Sequence, residues 1–319
     1  MRDQSGPRLP WAPARRTLQQ NDVVIGLRSR VGLGTAPLGS RVEGPLWWGP
    51  QDPDDAVGAV RAALDSGVDW IDTAPFYGWG RAEELVGRAI AGRRNEVRIL
   101  TKCGTMRRPD GRTGEDASPA AIRAGLHESL RRLGTDSVDV LQVHDPDPAT
   151  PVEETWTVLA DLVREGLVRA GGLSNHPVPL MERAHAVAPV AVVQHQYSLL
   201  HRTPETDGVL DWCAEHGTLF LAWAPLASGF LTAGFDLATL APSDLRHRLP
   251  WAAQDVTALL GRLAAVGALH GVPAHRVALA WAARRPGTYA IAGARTPAEA
   301  ADLGPLPDLT AADLAELDG

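Results

Sequence analysis

Short apolar runs recur along the chain at 31–33, 70–71, 97–100, 138–143, 167–173, 190–193, 219–223 and 289–291. Between them lie stretches whose apolar residues repeat at helical spacing, among them Val57, Val60 and Leu64; Ile122, Leu126, Leu130 and Leu133; and Val152, Trp156, Leu159 and Val163. Each of these stretches carries a start and a stop. Asp52-Pro53, Ser118-Pro119 and Thr150-Pro151 read as a cap followed by a first-turn proline, and Gly67, Gly134 and Gly166 as terminators. Eight strands alternating with helices over about 300 residues predict an α/β chain folded as a (β/α)8 TIM barrel. The rival is a doubly wound open sheet. It is disfavoured because Gly32-Leu-Gly34 runs on into Thr35, Ala36 and Pro37, which puts proline where a dinucleotide-binding Gly-x-Gly-x-x-Gly needs its third glycine.

Two segments exceed the repeat: a Gly- and Pro-containing connection over 224–250, expected to serve an active site, and an extra helix over 254–270 after the seventh strand, with Trp251 at its start. Residues 1–14 hold three prolines and no apolar period, so they are expected to be a mobile tail ahead of one domain over 15–319. No run approaches the eighteen or so apolar residues of a membrane span, and the first residues lack a signal-peptide core, which points to a cytoplasmic protein. A net charge of -7 argues against nucleic acid and anionic membranes as partners. Cys103 and Cys213 are too few for a disulfide framework and are expected to be buried thiols. The histidines at 127, 185, 216, 270 and 275 fall on expected helices without metal-ligand spacing, so no metal is expected.

The basic residues are lopsided: of 31, a single one is lysine, Lys102, and the rest are arginine. A lone ammonium in an arginine-rich chain suggests a place where a compact cation of tunable pKa is needed. Catalytic groups of a barrel stand at the C-terminal ends of its strands. Asp72, Lys102 and His144 each close an apolar run, and Tyr77 follows Asp72 by one short loop. An ammonium next to a phenol would lower its pKa toward that of a useful acid, a carboxylate would keep the ammonium charged, and an imidazole could orient a substrate oxygen. The alternative is a structural Asp72–Lys102 ion pair with a satisfied core histidine.

From about residue 18 to 303 the chain resembles the aldo-keto reductase superfamily. The matching motifs are Gly-Leu-Gly-Thr-Ala-Pro at 32–37, Asp-Thr-Ala-Pro-Phe-Tyr-Gly-Trp-Gly at 72–80, Leu-Thr-Lys at 100–102, the run 129–144 ending in His144, Gly-Leu-Ser-Asn-His at 172–176, Gln-His-Gln-Tyr-Ser-Leu-Leu at 194–200, Pro-Leu-Ala-Ser-Gly-Phe-Leu-Thr at 225–232 and Gly-Ala-Arg-Thr-Pro at 293–297. The resemblance implies an NAD(P)-dependent oxidoreductase that reduces an aldehyde or ketone, or runs in reverse on an alcohol. It implies a tetrad of Asp72, Tyr77, Lys102 and His144 with Tyr77 as general acid, and NADPH as cofactor, with NADH as the lesser candidate. It places Gly34, Thr35, Ala36 and Asp72 beside the cofactor, and Ser174, Asn175 and Gln194 at the carboxamide. Trp223 would stack on the nicotinamide, Leu226, Ser228 and Gly229 lie at the pyrophosphate, and Gly293, Arg295 and Glu299 lie at the adenosine end, with Arg295 on the 2'-phosphate. Glu299 stands where Gln or Arg is common, Leu303 where an adenine-contacting Asn is common, and Gln196 where Glu is frequent, so weaker cofactor contacts are expected around the adenosine. Trp47, Trp48 and Trp79 fall on the first two βα loops and could wall a pocket for a small carbonyl substrate. Two other activities use the same barrel: a regulatory subunit with slow turnover, resembling potassium-channel β subunits, and an aldolase forming a Schiff base on Lys102, which the motifs after the fifth strand disfavour.

Overall fold

The computed structural model describes residues 25–41, 46–108 and 110–318. The expected tail over 1–14 lies outside them. Eight strands close into an all-parallel barrel: β1 (Val31–Gly34), β2 (Trp70–Asp72), β3 (Arg98–Cys103), β6 (Val138–Val143), β7 (Val168–Ser174), β8 (Val192–Gln196), β9 (Leu219–Trp223) and β10 (Thr288–Gly293), with β10 pairing back onto β1. β4 (Thr105–Arg107) and β5 (Thr113–Glu115) form an antiparallel hairpin that the apolar pattern did not announce. Its signal is the turn pair Asp110-Gly111, with Gly111 at φ +85°. Several barrel strands outrun their apolar stretches. β3 continues through Lys102 to Cys103 and β8 through Gln194 to Gln196, because the polar residues at the strand exits still pair in the sheet.

Alternation along the strands sorts the core into two clusters. Trp70, Leu100, Val140, Ala170, Val192, Leu221, Tyr289 and Ile291 fill the barrel interior, joined by Ile25 and Leu27 from the segment before β1. Residues of the opposite parity, such as Ile71, Ile99, Leu141 and Leu173, pack outward against the helices. Gly32 has no room for a side chain: a Cβ there would lie 2.3 Å from the Trp70 indole, which takes up that space. Two residues beyond this apolar layer, the same inward parity brings up Asp72, Lys102, Gln142 and Gln194. The barrel floor is thus apolar and its C-terminal rim polar.

The helices are α1 (Pro53–Asp65), α2 (Arg81–Ile90), α3 (Pro119–Leu133), α4 (Val152–Arg164), α5 (Val178–Val187), α6 (Val209–His216), α7 (Thr257–His270), α8 (Ala274–Ala282), α9 (Pro297–Ala301) and α10 (Ala311–Asp318). Asp52 caps α1 by accepting from the Asp54 and Asp55 N–H groups, and Ser118 caps α3 through Ala121 N–H. Thr150 is no cap. Its hydroxyl donates to Asp147 and Pro151 occupies the position before α4, because Asp147 competes for it. The extra helix exists as α7 but starts at Thr257 instead of 254. Asp255 accepts from Thr257 N–H just ahead of it, and Trp251 is buried in a turn upstream. At the N-terminal end of the barrel a cavity of about 630 Å³ contains Arg94, Arg98 and Arg169, all turned to buried Asp139 at 3.0, 3.7 and 3.6 Å. This cluster is an ion-pair network within the fold, on the face of such barrels where stability resides.

Candidate active site

Five non-glycine residues among those described take left-handed backbone angles: Trp79, Asn175, Ala224, Ala227 and Ser228, with φ between +48° and +60°. All five sit on loops that follow the C-terminal ends of β2, β7 and β9. Such angles cost of order 1–3 kcal/mol each and persist where the surroundings impose them. Strain and the polar rim therefore coincide on one face.

At the centre of that face, Lys102 Nζ donates to Asp72 Oδ1 at 2.5 Å, to the Thr73 carbonyl at 3.2 Å and to the Tyr77 hydroxyl at 3.1 Å. The three N–H groups of the ammonium are all committed. The other carboxylate oxygen, Asp72 Oδ2, accepts from Gln142 Nε2 at 3.1 Å and from Gln194 Nε2 at 2.9 Å, and Gln194 Nε2 also donates to Gln142 Oε1. The Asp72 carbonyl holds both the N–H and the hydroxyl of Thr35, which ties the β1 exit to the β2 exit. Gly172 makes this arrangement fit, since a Cβ there would lie 2.9 Å from Gln142 Cγ.

Charge follows from that geometry. Burial alone would strip Lys102 of its proton, but Asp72 and then Tyr77 outweigh it and raise the ammonium above its ordinary range. Burial raises Tyr77 above 10.0, and Lys102 opposes without cancelling it. The expectation that the lysine would bring the phenol below its usual value is therefore corrected: desolvation is the larger effect, and Tyr77 rests as a protonated phenol. The His144 ring stands perpendicular to Tyr77 at 6.0 Å and to Phe76 at 5.6 Å, and its buried Nδ1 has no partner among the described residues. Burial, followed by Lys102, holds it well below 6.5, so it is neutral. The four tetrad residues are thus together: a charged amine, a protonated phenol, a neutral imidazole and a carboxylate.

Around them stand the other expected residues. Asn175 Nδ2 donates to the His144 carbonyl at 3.2 Å and to Asp145 Oδ1 at 2.9 Å, while Trp223 Nε1 donates to Asn175 Oδ1 at 3.0 Å. Ser174 is buried at the end of β7. No other described residue hydrogen-bonds Ser174 Oγ or Gln194 Oε1. Leu226, Ser228 and Gly229 belong to a tight turn after β9, with Gly229 at φ +105°. Gly34 and Gly293 pair at the barrel rim beside Thr35, Ala36 and Pro37. Arg295 is half-buried against the first loop, donating from Nε to Gln51 Oε1 at 3.1 Å and from its terminal nitrogen to the Pro50 carbonyl. Glu299 accepts from the Arg295 backbone N–H at 2.7 Å. The three tryptophans part company. Trp47 donates to Ser243 Oγ, its carbonyl holds Leu245 N–H, and Trp48 lies under Arg246, so both face the segment after β9. Trp79 packs edge-on against Phe76 beside Tyr77, with Arg107 over its ring.

Sequence reasoning missed Gln142 and Asp145. The first had a signal: a lone amide at an inward position of the otherwise apolar upper half of β6. The second had none, because an aspartate before Pro146 reads as an ordinary loop residue. Cys103 and Cys213 are buried, and burial pushes the Cys103 thiol up to about 12.

Known proteins resemble this chain in sequence and fold. The family model "Aldo/keto reductase family" matches residues 30–318. The Bacillus subtilis protein Aldo-keto reductase YhdN is 38% identical over 70% of this chain, which spans 66% of that protein, just under two thirds. A glycerol dehydrogenase from Gluconobacter oxydans superposes with a TM-score of 0.81 at 34% identity, over 91% of this chain and 90% of the other. An aldo/keto reductase from Klebsiella pneumoniae, solved with NADP and acetate, gives 0.71 at 30% identity over 91% and 90%. Among the described residues no helix is long and apolar enough to cross a membrane. The barrel, its polar rim and these matches agree on one conclusion: the chain belongs to the aldo/keto reductase family.

Proposed function

We propose that this protein is an NADPH-dependent reductase of small aldehydes or ketones, built as one domain over 15–319, with Tyr77 as its general acid. The observation that carries the reading is the three-way bond of Lys102 to Asp72, Thr73 and Tyr77. A phenol whose only charged neighbour within hydrogen-bond reach, among the described residues, is an ammonium is poised to give up a proton, because the ammonium stabilises the phenolate left behind. The donors around it suit a nicotinamide. Gln194 uses both amide hydrogens internally and so presents a bare Oε1 to a carboxamide N–H, Ser174 Oγ supplies the complementary hydroxyl, and Trp223 is fixed by Asn175 as a stacking surface. The complex of the Klebsiella relative with NADP supports the same cofactor here. Arg295 would take the 2'-phosphate as a planar two-pronged donor once it leaves Pro50 and Gln51.

When bound, NADPH supplies the hydride equivalent that reaches the carbonyl carbon. The residues of the chain do the rest. His144, held neutral by burial, would donate a ring N–H to the carbonyl oxygen and direct it toward Tyr77. Tyr77 transfers its hydroxyl proton to that oxygen as negative charge develops there, and Lys102, held charged by Asp72, steadies the phenolate until a proton returns from solvent. Trp79 and Phe76 border the place where the substrate would lie.

Tyr77→Phe tests the assignment. Turnover of a carbonyl panel with NADPH should fall by roughly three orders of magnitude, in line with loss of a general acid, while the NADPH dissociation constant, read by fluorescence quenching, stays within about twofold. Full activity in the variant removes Tyr77 from the role. A wild-type protein that binds NADPH yet reduces nothing favours the regulatory-subunit activity instead.

A further inference from the structure

A buried amide outside the tetrad joins two residues on which the site depends. Gln142 is 0% exposed at an inward position of β6, where its backbone pairs with Lys102 of β3 on one side and Gly172 of β7 on the other. Its side chain spans from β2 to β8. Nε2 donates to Asp72 Oδ2 at 3.1 Å and Oε1 accepts from Gln194 Nε2 at 3.0 Å, while Gln194 Nε2 also donates to Asp72 Oδ2 at 2.9 Å. One carboxylate oxygen and two amides thus close a ring of three hydrogen bonds. The strand between Gln142 and Gln194 leaves the space in which they meet, because β7 has glycine there: a Cβ at Gly172 would stand 2.9 Å from Gln142 Cγ.

That ring has one workable orientation. The Asp72 carboxylate, paired with Lys102 through Oδ1, can only accept, so both amides must turn an N–H to Oδ2. Gln142 then offers its oxygen to the second hydrogen of Gln194. Both hydrogens on Gln194 Nε2 are used, and Gln194 Oε1 is left as a pure acceptor with no partner among the described residues. Reversing either amide would set oxygen against oxygen in a buried place, where leaving polar atoms unpaired is costly. Without Gln142, a single bond to Asp72 would hold Gln194, and its amide could turn about that bond to offer the freed hydrogen elsewhere.

We propose that Gln142 is a positioning residue for the cofactor: by accepting the second amide hydrogen of Gln194 it holds Gln194 Oε1 as an acceptor for the nicotinamide carboxamide, so that the site tells a carboxamide, which carries N–H, from a group of the same shape without one. This rests on the NADPH reading above and adds the residue that enforces it. The selection follows a general asymmetry: a site built to pair a ligand N–H leaves a buried polar group unsatisfied when that N–H is missing.

The 3-acetylpyridine analogue of NADP has a methyl group in place of the carboxamide nitrogen and is otherwise the same molecule. Dissociation constants for NADP and this analogue, read by quenching of protein fluorescence, give a preference that needs no turnover. The wild type should bind NADP about tenfold more tightly than the analogue. Gln142→Met, of similar length and without an acceptor for Gln194, should bring that preference to about twofold or less. Gln142→Glu, as an acid kept neutral by burial beside Asp72, retains a donor for Asp72 and an acceptor for Gln194, and should keep the preference at about tenfold. If Gln142→Met does not fold, Gln142→Asn, one methylene short of both partners, takes its place with the same expectation. An unchanged preference in the Met or Asn variant, including an equal loss of affinity for both nucleotides, means that Gln142 only fills space and overturns the inference. A wild type without the preference, or a Glu variant that loses it, overturns the inference as well. A wild type that shows the preference yet reduces no carbonyl overturns the reductase reading alone, and one that binds neither nucleotide overturns both.

Discussion

Asp72 and Lys102 form an ion pair 2.5 Å long at the top of the barrel interior, with side chains 2% and 1% exposed. Removing either partner strands a buried charge, at a cost of about 3–5 kcal/mol, whereas replacing both with apolar or neutral groups of similar size is often tolerated. Asp72→Asn and Lys102→Met should therefore each lower unfolding free energy by about that amount, while the double variant recovers most of it and stays inactive. Urea denaturation with a double-mutant cycle reads the difference. If the single variants are as stable as the wild type, the pair contributes only to chemistry.

The interior beneath that pair sets a second expectation. Gly32 and Trp70 share one volume, with the missing Cβ of the glycine replaced by the indole at 2.3 Å. Gly32→Ala should cost about 1–3 kcal/mol through overpacking, and Trp70→Phe in the same chain should return part of it by vacating the ring edge. Thermal unfolding of the four proteins of the cycle tests this. Strict additivity of the two changes would mean that the residues do not compete for space.

Much of this was legible in the chain because a barrel repeats one rule. Apolar runs gave the eight strands, and the polar residues that end them gave Asp72, Lys102, His144 and Gln194, since a strand's exit is where its side chains leave the core. Other features depended on information that is not local. Gln142 reaches Asp72 and Gln194 only after three strands have been brought side by side, and Gly172 is needed only because Gln142 is there. The rise in the Tyr77 pKa likewise could not be read from its neighbours' identities, because it depends on how completely the closed fold buries the phenol. Trp47 and Trp48 belong to this group too: their partners Ser243, Leu245 and Arg246 lie some two hundred positions away.

The adenosine end offers a prediction about cofactor choice. Arg295 is engaged with Pro50 and Gln51, and the Glu299 carboxylate sits on its backbone N–H. A 2'-phosphate would have to compete with the first loop for the guanidinium and tolerate the nearby carboxylate. Arg295→Ala should weaken NADPH binding by roughly tenfold or more, the scale of a charge-assisted pair, and leave NADH within about threefold. Glu299→Gln should tighten NADPH and leave NADH unchanged. Paired fluorescence titrations with the two cofactors decide it. Equal losses for NADPH and NADH in Arg295→Ala would show that the arginine only braces the first loop.

Acid stability follows from the buried histidines. His144 lies well below 6.5, and His176, whose Nδ1 stands 2.6 Å from the Ser174 carbonyl, is lowered by burial to about 4. A base whose folded pKa is depressed contributes stability that is complete above its unfolded value and is lost as pH falls through the folded one. The loss should therefore begin near pH 6.5, with His176 alone accounting for about 3 kcal/mol by pH 4. Carboxylates lowered by hydrogen bonds and ion pairs, such as Glu205, which Tyr197, Arg202 and Arg284 bring to about 2 against the opposing effect of burial, join only below their ordinary value of 4.5. Between pH 6.5 and 4.5 the slope thus belongs to histidine. His176→Asn, measured by urea unfolding at half-unit steps, should be less stable than the wild type at pH 7.5 yet show a shallower decline across that interval. A parallel decline in both proteins would mean that His176 is protonated in the folded state without penalty.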